Sequence, residues 1–402
     1  MAEDCLFWFP RILTFEYTKT LMTSCHIVWL LHFKRAMLPE DWTQLELSDL
    51  LDVLRNRKCS DPRDKIIALL GILDVLLRLS KSVSSRYTGS PQKEYYRLPN
   101  LDYSQSVAHV YKRVVSWTLS SRQDAKILYL ACFSSSEVAE RSRLATHITP
   151  DLPSWVPDLQ YLSHLQRPYI THPRALSSSE KQLYSACSSA PFCLSLPWDD
   201  TICLKGILCA TVDYIGSEAL PLADYDYNAG KAARHLYDVV NTWVAECKQF
   251  CQLNPYFESL VKLARGLTQI VLNGAVDKFE AVVSKYFALL VRMAEVEQNR
   301  KKDSKGNALD DGDPAVLEID HQFGIEIGNR TLLISEQGPL GTGFGHFQLG
   351  DHIFAAAGFE KLLILRPSGD CYILVGHAYM EGFMQGESWP KDERDLQDIK
   401  II

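Results

Sequence analysis

The sequence predicts an α+β fold, with a helical N-terminal half and a discontinuous, small antiparallel β-barrel-like module at the C-terminus. Three observations carry this. Between residues 43 and 133 apolar side chains recur at helical intervals. From 324 to 385 short β-rich runs alternate with glycines. A further β-rich run, Thr201–Ile215, stands apart from these with helical periodicity in between. The C-terminal strands alone would expose an edge, so the Thr201 run is expected to join them, leaving residues 220–320 as a helical insertion. The chain has 402 residues, 47% of them hydrophobic, enough for two or three domains. A net charge of -7 and a pI near 5.9 argue against a general binder of nucleic acid or anionic membranes.

Taken in order, Leu21–Phe33 is apolar but interrupted by Thr23, Ser24, His26 and His32, and is too short to span a membrane. Glu3 and Asp4 stand where a secretory signal would be basic. Thr43-Gln44-Leu45-Glu46 has capping-box spacing, and Leu47, Leu50, Leu51 and Leu54 follow on one face, which predicts a helix over 43–57. The next helix begins at Asp61-Pro62-Arg63-Asp64-Lys65. Asp61 suits the N-cap, Pro62 the first turn, and Asp64 the position where a carboxylate meets free N–H groups. Ile66–Leu70 is apolar all round, and Gly71 ends the helix or marks close packing.

Residues 80–100 read as a loop. Ser104 is expected to cap a helix carrying Val107, Val110, Tyr111, Val114 and Thr118, followed by another over 122–133. The Ser-rich residues 134–150 read as a surface loop. In Leu152-Pro153-Ser154-Trp155-Val156-Pro157-Asp158 two prolines forbid helix, so an extended strap anchored by Trp155 is expected. Residues 160–192 lack a period, and Thr201–Ile215 is one long strand or two short ones. Two helical stripes follow, Leu236 to Phe250 and Val276 to Leu290, then a charged loop over 300–314. The expected C-terminal strands are Thr331–Ser335, His352–Ala357, Lys361–Leu365 and Tyr372–His377.

Each chemical candidate has a competing structural reading. Gly341-Thr342-Gly343-Phe344-Gly345 lacks the third glycine and following helix of a dinucleotide loop, so turn glycines are the better reading. His346, His352 and His377 have no spacing that fixes a metal, nor do Cys187, Cys193, Cys203 and Cys209, which contain no CxxC pair. Asp310, Asp311, Asp313 and Glu318 are out of register for a calcium loop. The eleven scattered cysteines fit reduced, buried thiols of a cytoplasmic protein. Asp61 and Asp64 could act as acid and base. Each nevertheless has a job at a helix start, and Arg63 can form a two-pronged pair with a distant carboxylate such as Asp102 or Asp158. No catalytic, cofactor or metal residue is assigned.

These blocks together resemble fungal heterokaryon-incompatibility (HET) domain-containing proteins. Asp61-Pro62-Arg63-Asp64-Lys65 with Ala68-Leu69-Leu70-Gly71 is similar to that family's DPRDK block. Asp102-Tyr103-Ser104 with Val107 and Tyr111 is similar to its DYS block, and Leu152–Asp158 to its LPSWVPD strap, with Leu159 in place of an aromatic residue. Gly350-Asp351, Leu365-Arg366-Pro367 and Val375–Glu387, including Gly376, Gly382 and Gly386, resemble its ending. The tryptophan- and aspartate-rich signature of the HET unit itself is not found. The resemblance therefore implies residues 1–42 as a remnant or linker after that unit and 43–160 as a helical domain. Residues 161–219 are then an irregular segment with strands, 220–320 an insertion, and 321–402 the β-rich module. It implies a regulatory or interaction region with protein partners, serving non-self recognition and programmed cell death, without an enzymatic activity or cofactor of its own. The alternative it leaves open is an NAD- or nucleotide-consuming death effector whose catalytic part is truncated.

Overall fold

The computed structural model describes residues 47–48, 51, 59–71, 99, 101–141, 148–162, 185–188, 190–198, 200–219, 239, 242–243, 245–246, 329–336 and 338–402. Of the expected helix over 43–57, Leu47, Ser48 and Leu51 lie in this set; they are helical and buried. Most of the 80–100 loop, the 276–290 stripe and the 300–314 loop lie outside the described residues. A helix, α1, occupies 64–71. Helix α2, Val107–Trp117, is capped by Ser106, whose Oγ accepts from His109 N–H at 3.2 Å. Ser104 is not the cap, because the Asp102 carboxylate takes its hydroxyl and its N–H (2.7 Å). Val110, Tyr111 and Val114 are buried as the helical stripe required. Thr118 Oγ1 donates back to Val114 O, and the chain widens into a π turn, Thr118–Arg122. Gln123, at φ 56°, then reverses it. The helix expected over 122–133 is a 3₁₀ segment, Ala125–Ala131.

The expected loop over 134–150 instead contains helix α3, Ser135–Arg141. Its cause is a capping box: Ser134 N–H donates to Glu137 Oε2 (2.9 Å) and Glu137 N–H to Ser134 Oγ (3.3 Å). The strap is non-helical as expected and runs into a short helix α4, Leu159–Leu162. Trp155 is wholly buried, with its indole N–H on Asp200 O at 3.1 Å.

Eight strands form one sheet among the described residues. They are β1 (Leu194–Trp198), β2 (Thr201–Glu218), β3 (Thr331–Ser335), β4 (Leu340–Gly345), β5 (His352–Ala356), β6 (Leu362–Ser368), β7 (Cys371–Met380) and β8 (Gln397–Ile401). The Thr201 run is one strand of 18 residues. It pairs with β1 and β8 at its start, β5 at its middle and β3 at its end. The hydrogen-bonded path β2-β3-β4-β7-β6-β5 therefore returns to β2. All pairings are antiparallel except the Tyr372–Ile401 bridge between β7 and β8. The two stretches of strand, distant in sequence, thus share one sheet. Between them Trp243, in a helical stretch, donates its indole N–H to Ser217 O on β2 at 2.9 Å.

The glycines of Gly341–Gly345 do not form turns; they lie in β4. A Cβ on Gly341 would stand 2.0 Å from Tyr379 O on β7. Gly345 and Gly376 are register partners, and a Cβ on either would meet the Phe347 ring at 2.6 Å. Close approach of β7 and the folded-back Phe347 ring exclude side chains here. Leu363 and Leu365 face the helices with Tyr111, Leu128 and Trp155, whereas Leu362 and Ile364 face the other core with Phe347 and Met380. Burial on both faces explains the continuous apolar run of β6.

Two predictions follow from this packing. Gly341→Ala should lower unfolding free energy by about 1–3 kcal/mol. Gly71→Ala, where nothing lies within 4 Å, should raise it by about 0.5–1 kcal/mol. Urea denaturation of both variants decides this; equal effects at the two sites would refute the packing account. The second concerns Asp124, buried with its carboxylate accepting from Ser48 N–H (3.0 Å) and Oγ–H (2.9 Å). Burial raises its carboxyl above the ordinary value, outweighing the bonds from Ser48. Its contribution is fully present below the unfolded-state value and is lost as pH rises through the raised folded value. Asp124→Asn should therefore gain on the parent across that window and keep its gain at neutral pH. A difference that does not change with pH would contradict it.

Candidate functional site

The charged strip preceding α1 closes on itself and on the DYS block. The Asp61 carboxylate accepts from Arg63 N–H at 2.9 Å and from the guanidinium Nε and Nη2, at 2.9 and 2.6 Å. Those bonds hold the Asp61 carboxyl below its ordinary range. Arg63 therefore pairs with Asp61, not with Asp102 or Asp158; the short cap turn folds the guanidinium back onto its own capping carboxylate. Its Nη1 donates to Gln105 O (2.8 Å) and to Tyr103 O. Tyr103 Oη donates to Asp64, and Tyr111 Oη donates to Pro62 O at 2.9 Å. Two blocks some 40 residues apart are thus tied by side chains of each to the backbone or carboxylates of the other. Burial lowers the Lys65 ammonium pKa and raises that of the neighbouring Cys59 thiol.

Asp158 ends the strap as an N-cap. Its buried carboxylate accepts from Thr149 N–H and Oγ1–H, both at 2.9 Å, and from Tyr161 N–H at 3.3 Å. Pro157 before it is buried beside Trp155. Ser154 carries the strap to the sheet: its N–H donates to Ile402 O (3.1 Å), and its Oγ accepts from Leu374 N–H (2.9 Å) on β7.

Between strap and sheet lies a cleft of about 210 Å³. Its floor is Ile373, Leu374 and Val375 of β7, and its walls include Leu152 and Val156 of the strap, Phe133, and Val138 of α3. Val375 is the extra residue of a bulge, since Ile364 pairs with Gly376 but Leu365 with Leu374. Polar groups reach the cleft from Arg366, His346, Ser154 and Asp158. Arg366 and Asp351, from the GD and LRP blocks, form a two-pronged pair: Nε to Oδ1 at 2.9 Å and Nη2 to Oδ2 at 3.0 Å. Nη2 also donates to His346 O at 2.8 Å, and Asp351 accepts from Gln348 N–H at 2.7 Å. The sequence carries Asp351 after a glycine in one block and Arg366 at the end of an apolar run in the other, a weak signal of the link.

The histidines do not converge. His346 Nδ1 meets Ser135 Oγ at 3.2 Å, His352 lies against Phe354 and Tyr372, and His377 packs between Tyr129 and Phe344. Cys187, Cys193, Cys203 and Cys209 are free thiols, and no group of His, Cys, Asp and Glu among the described residues could hold a metal ion. Gly382 and Gly386 have φ of 82° and 81°, and a Cβ on Gly386 would strike Ser188 at 2.6 Å. Gly376 lies in β7 under Phe347. No helix among the described residues is long and apolar enough to cross a membrane.

Residues 272–398 match the family model of the Het-6 beta-barrel domain, a domain of heterokaryon-incompatibility-type proteins. The matched segment holds β3 through β7 and the start of β8, whereas β1 and β2 precede it. No curated protein and no solved structure matches the chain.

Asp351→Ala should cost about 3 kcal/mol, because it leaves the Arg366 guanidinium without its counter-charge inside the fold. Replacing both residues with apolar ones should cost less than the two single changes added together. A thermal or urea double-mutant cycle measures this; simple additivity would show that the pair is not coupled.

Proposed function

We propose that the chain is a non-enzymatic regulatory and interaction region of a heterokaryon-incompatibility-type protein. It acts in the cytoplasm through protein partners, in fungal non-self recognition leading to programmed cell death, and its β module is a closed barrel. The match over residues 272–398 and the return of the strand path to β2 support the barrel reading. The observation that carries the non-enzymatic reading is the fate of the charged strip. Asp61 is engaged by Arg63, Asp64 by Tyr103, and Arg63 by two backbone carbonyls as well. The strip works as a clamp between two helical segments.

The chain, purified, should leave NAD and ATP intact. Expressed in a filamentous fungus, it should spare the cells alone and kill them when a HET-bearing partner is co-expressed. NAD or ATP consumption that disappears in Asp61→Asn or Asp64→Asn, with the fold intact, would make the strip catalytic and overturn the reading.

A further inference from the structure

We propose that Tyr103 is a phosphorylation site, and that a phosphate on it opens the clamp between the start of α1 and the approach of α2. This goes beyond the interaction reading and does not depend on it.

A modification site must first be accessible. Tyr103 is 52% exposed, whereas the other described tyrosines are buried (Tyr111, Tyr129, Tyr161) or half-buried (Tyr214, Tyr372, Tyr379). It stands in a turn where Asp102, Tyr103 and Ser104 are all exposed. The turn lies before α2 begins at Val107, so no helix or strand has to be broken to present it to an enzyme. Asp102 directly precedes the tyrosine, and Asp64 accepts from its hydroxyl. The kinase that fits this setting is one that prefers acidic flanks.

The phenol is also the point on which the clamp turns. Tyr103 Oη donates to Asp64, and among the described residues no other side chain is hydrogen-bonded to that carboxylate. The Arg63 guanidinium lies over the Tyr103 ring at 5.3 Å and is committed to Asp61 and to the Tyr103 and Gln105 carbonyls. Phosphorylation moves the γ-phosphoryl group of a nucleoside triphosphate onto Oη. The bond from the γ phosphorus to its bridging oxygen breaks, a P–Oη bond forms, the phenolic proton passes to the kinase's base, and the nucleoside diphosphate leaves. Oη then has no proton to donate, and a group of charge about −1.5 to −2 stands where the hydroxyl faced Asp64. Asp61 already matches the charge of Arg63, and that guanidinium bonds to the backbone end of Tyr103, away from Oη. Attraction at the junction therefore becomes like-charge repulsion. The Arg63 bonds to the Tyr103 and Gln105 carbonyls need the same turn in place, so they are lost with it. The Tyr111 bond to Pro62 O is what remains to hold the first turn of α1.

The test treats the full chain with ATP, magnesium and a tyrosine kinase of acidic preference, maps the phosphate by peptide mass spectrometry, and follows amide hydrogen exchange before and after. Tyr103 should be modified ahead of every other tyrosine. The Asp64, Lys65, Ile66 and Ile67 amides, which close the first turn of α1, should then exchange about tenfold faster. The amides of β6 and β7 should be unchanged, and a phosphatase should restore the original rates. Two variants separate charge from the mere loss of a bond. Tyr103→Phe should take no phosphate at this position and raise exchange by less than the phosphate does. In Asp64→Asn the phosphate should raise exchange less than in the parent, because the opposed charge is gone; the parent decides if this variant loses its fold. Absence of phosphate from Tyr103, or faster exchange spread over the whole chain, overturns the proposal. So does an unchanged or slower rate at these amides, the slower rate meaning that Arg63 captures the phosphate and tightens the clamp. The fungal killing experiment has no bearing on this outcome, so each reading stands or falls by itself.

Discussion

A carboxylate that is only 1% exposed needs compensating charge and hydrogen bonds, and Asp351 obtains both from Arg366 and the Gln348 N–H. Much of the site follows from that requirement. The pair draws the segment after β4 against β6, and the same guanidinium grips the His346 carbonyl. Phe347 is thereby carried back over Gly343, Gly345 and Gly376, and those positions must lack side chains. One ion pair thus fixes a loop, restricts two strands to glycine, and leaves a charged edge facing the cleft.

The strap extends this order to the helices. Trp155 fills the core shared by α2, the 3₁₀ segment and the sheet, while Ser154 on its other side bonds to β7 and Ile402. Alternation along the strap separates these two tasks, as an extended chain allows and a helix does not. Pro153 and Pro157 keep it extended, and Asp158 restarts the helix at a fixed point by capping Tyr161 N–H. The clamp of Asp61, Arg63 and Tyr103 holds the start of α1 to the approach of α2.

How much of this the sequence disclosed depends on whether the cause was local. The start of α1, the burial of Trp155 and the strand character of Thr201–Ile215 follow from caps, prolines and β-branched runs, and were legible; that it is one strand reaching Glu218 was not. The capping box Ser134–Glu137 was equally local and equally legible, but the serine-rich composition around it masked the signal. β4 was not legible, because its glycines answer to a ring and a strand distant in sequence. Arg63 departs from expectation for the opposite reason: its partner is not remote but Asp61, two residues away. The cleft could not be read at all, since its walls come from the 3₁₀ end, α3, the strap, the loop after β4, and β6 and β7.

Charged residues set against an apolar run can mark a catalytic strip or a helix entering a core, and the two differ in what the charges face. A carboxylate offers about four lone-pair sites. Asp61 gives one oxygen to a backbone N–H and both to a guanidinium, which favours its charged form and binds it to the chain's own turn. Asp64 is bonded to a tyrosine that is itself 52% exposed and stacked under Arg63 at 5.3 Å. The bonds of the strip run to the chain's own turn and to the DYS block, and they tie the start of α1 to the approach of α2.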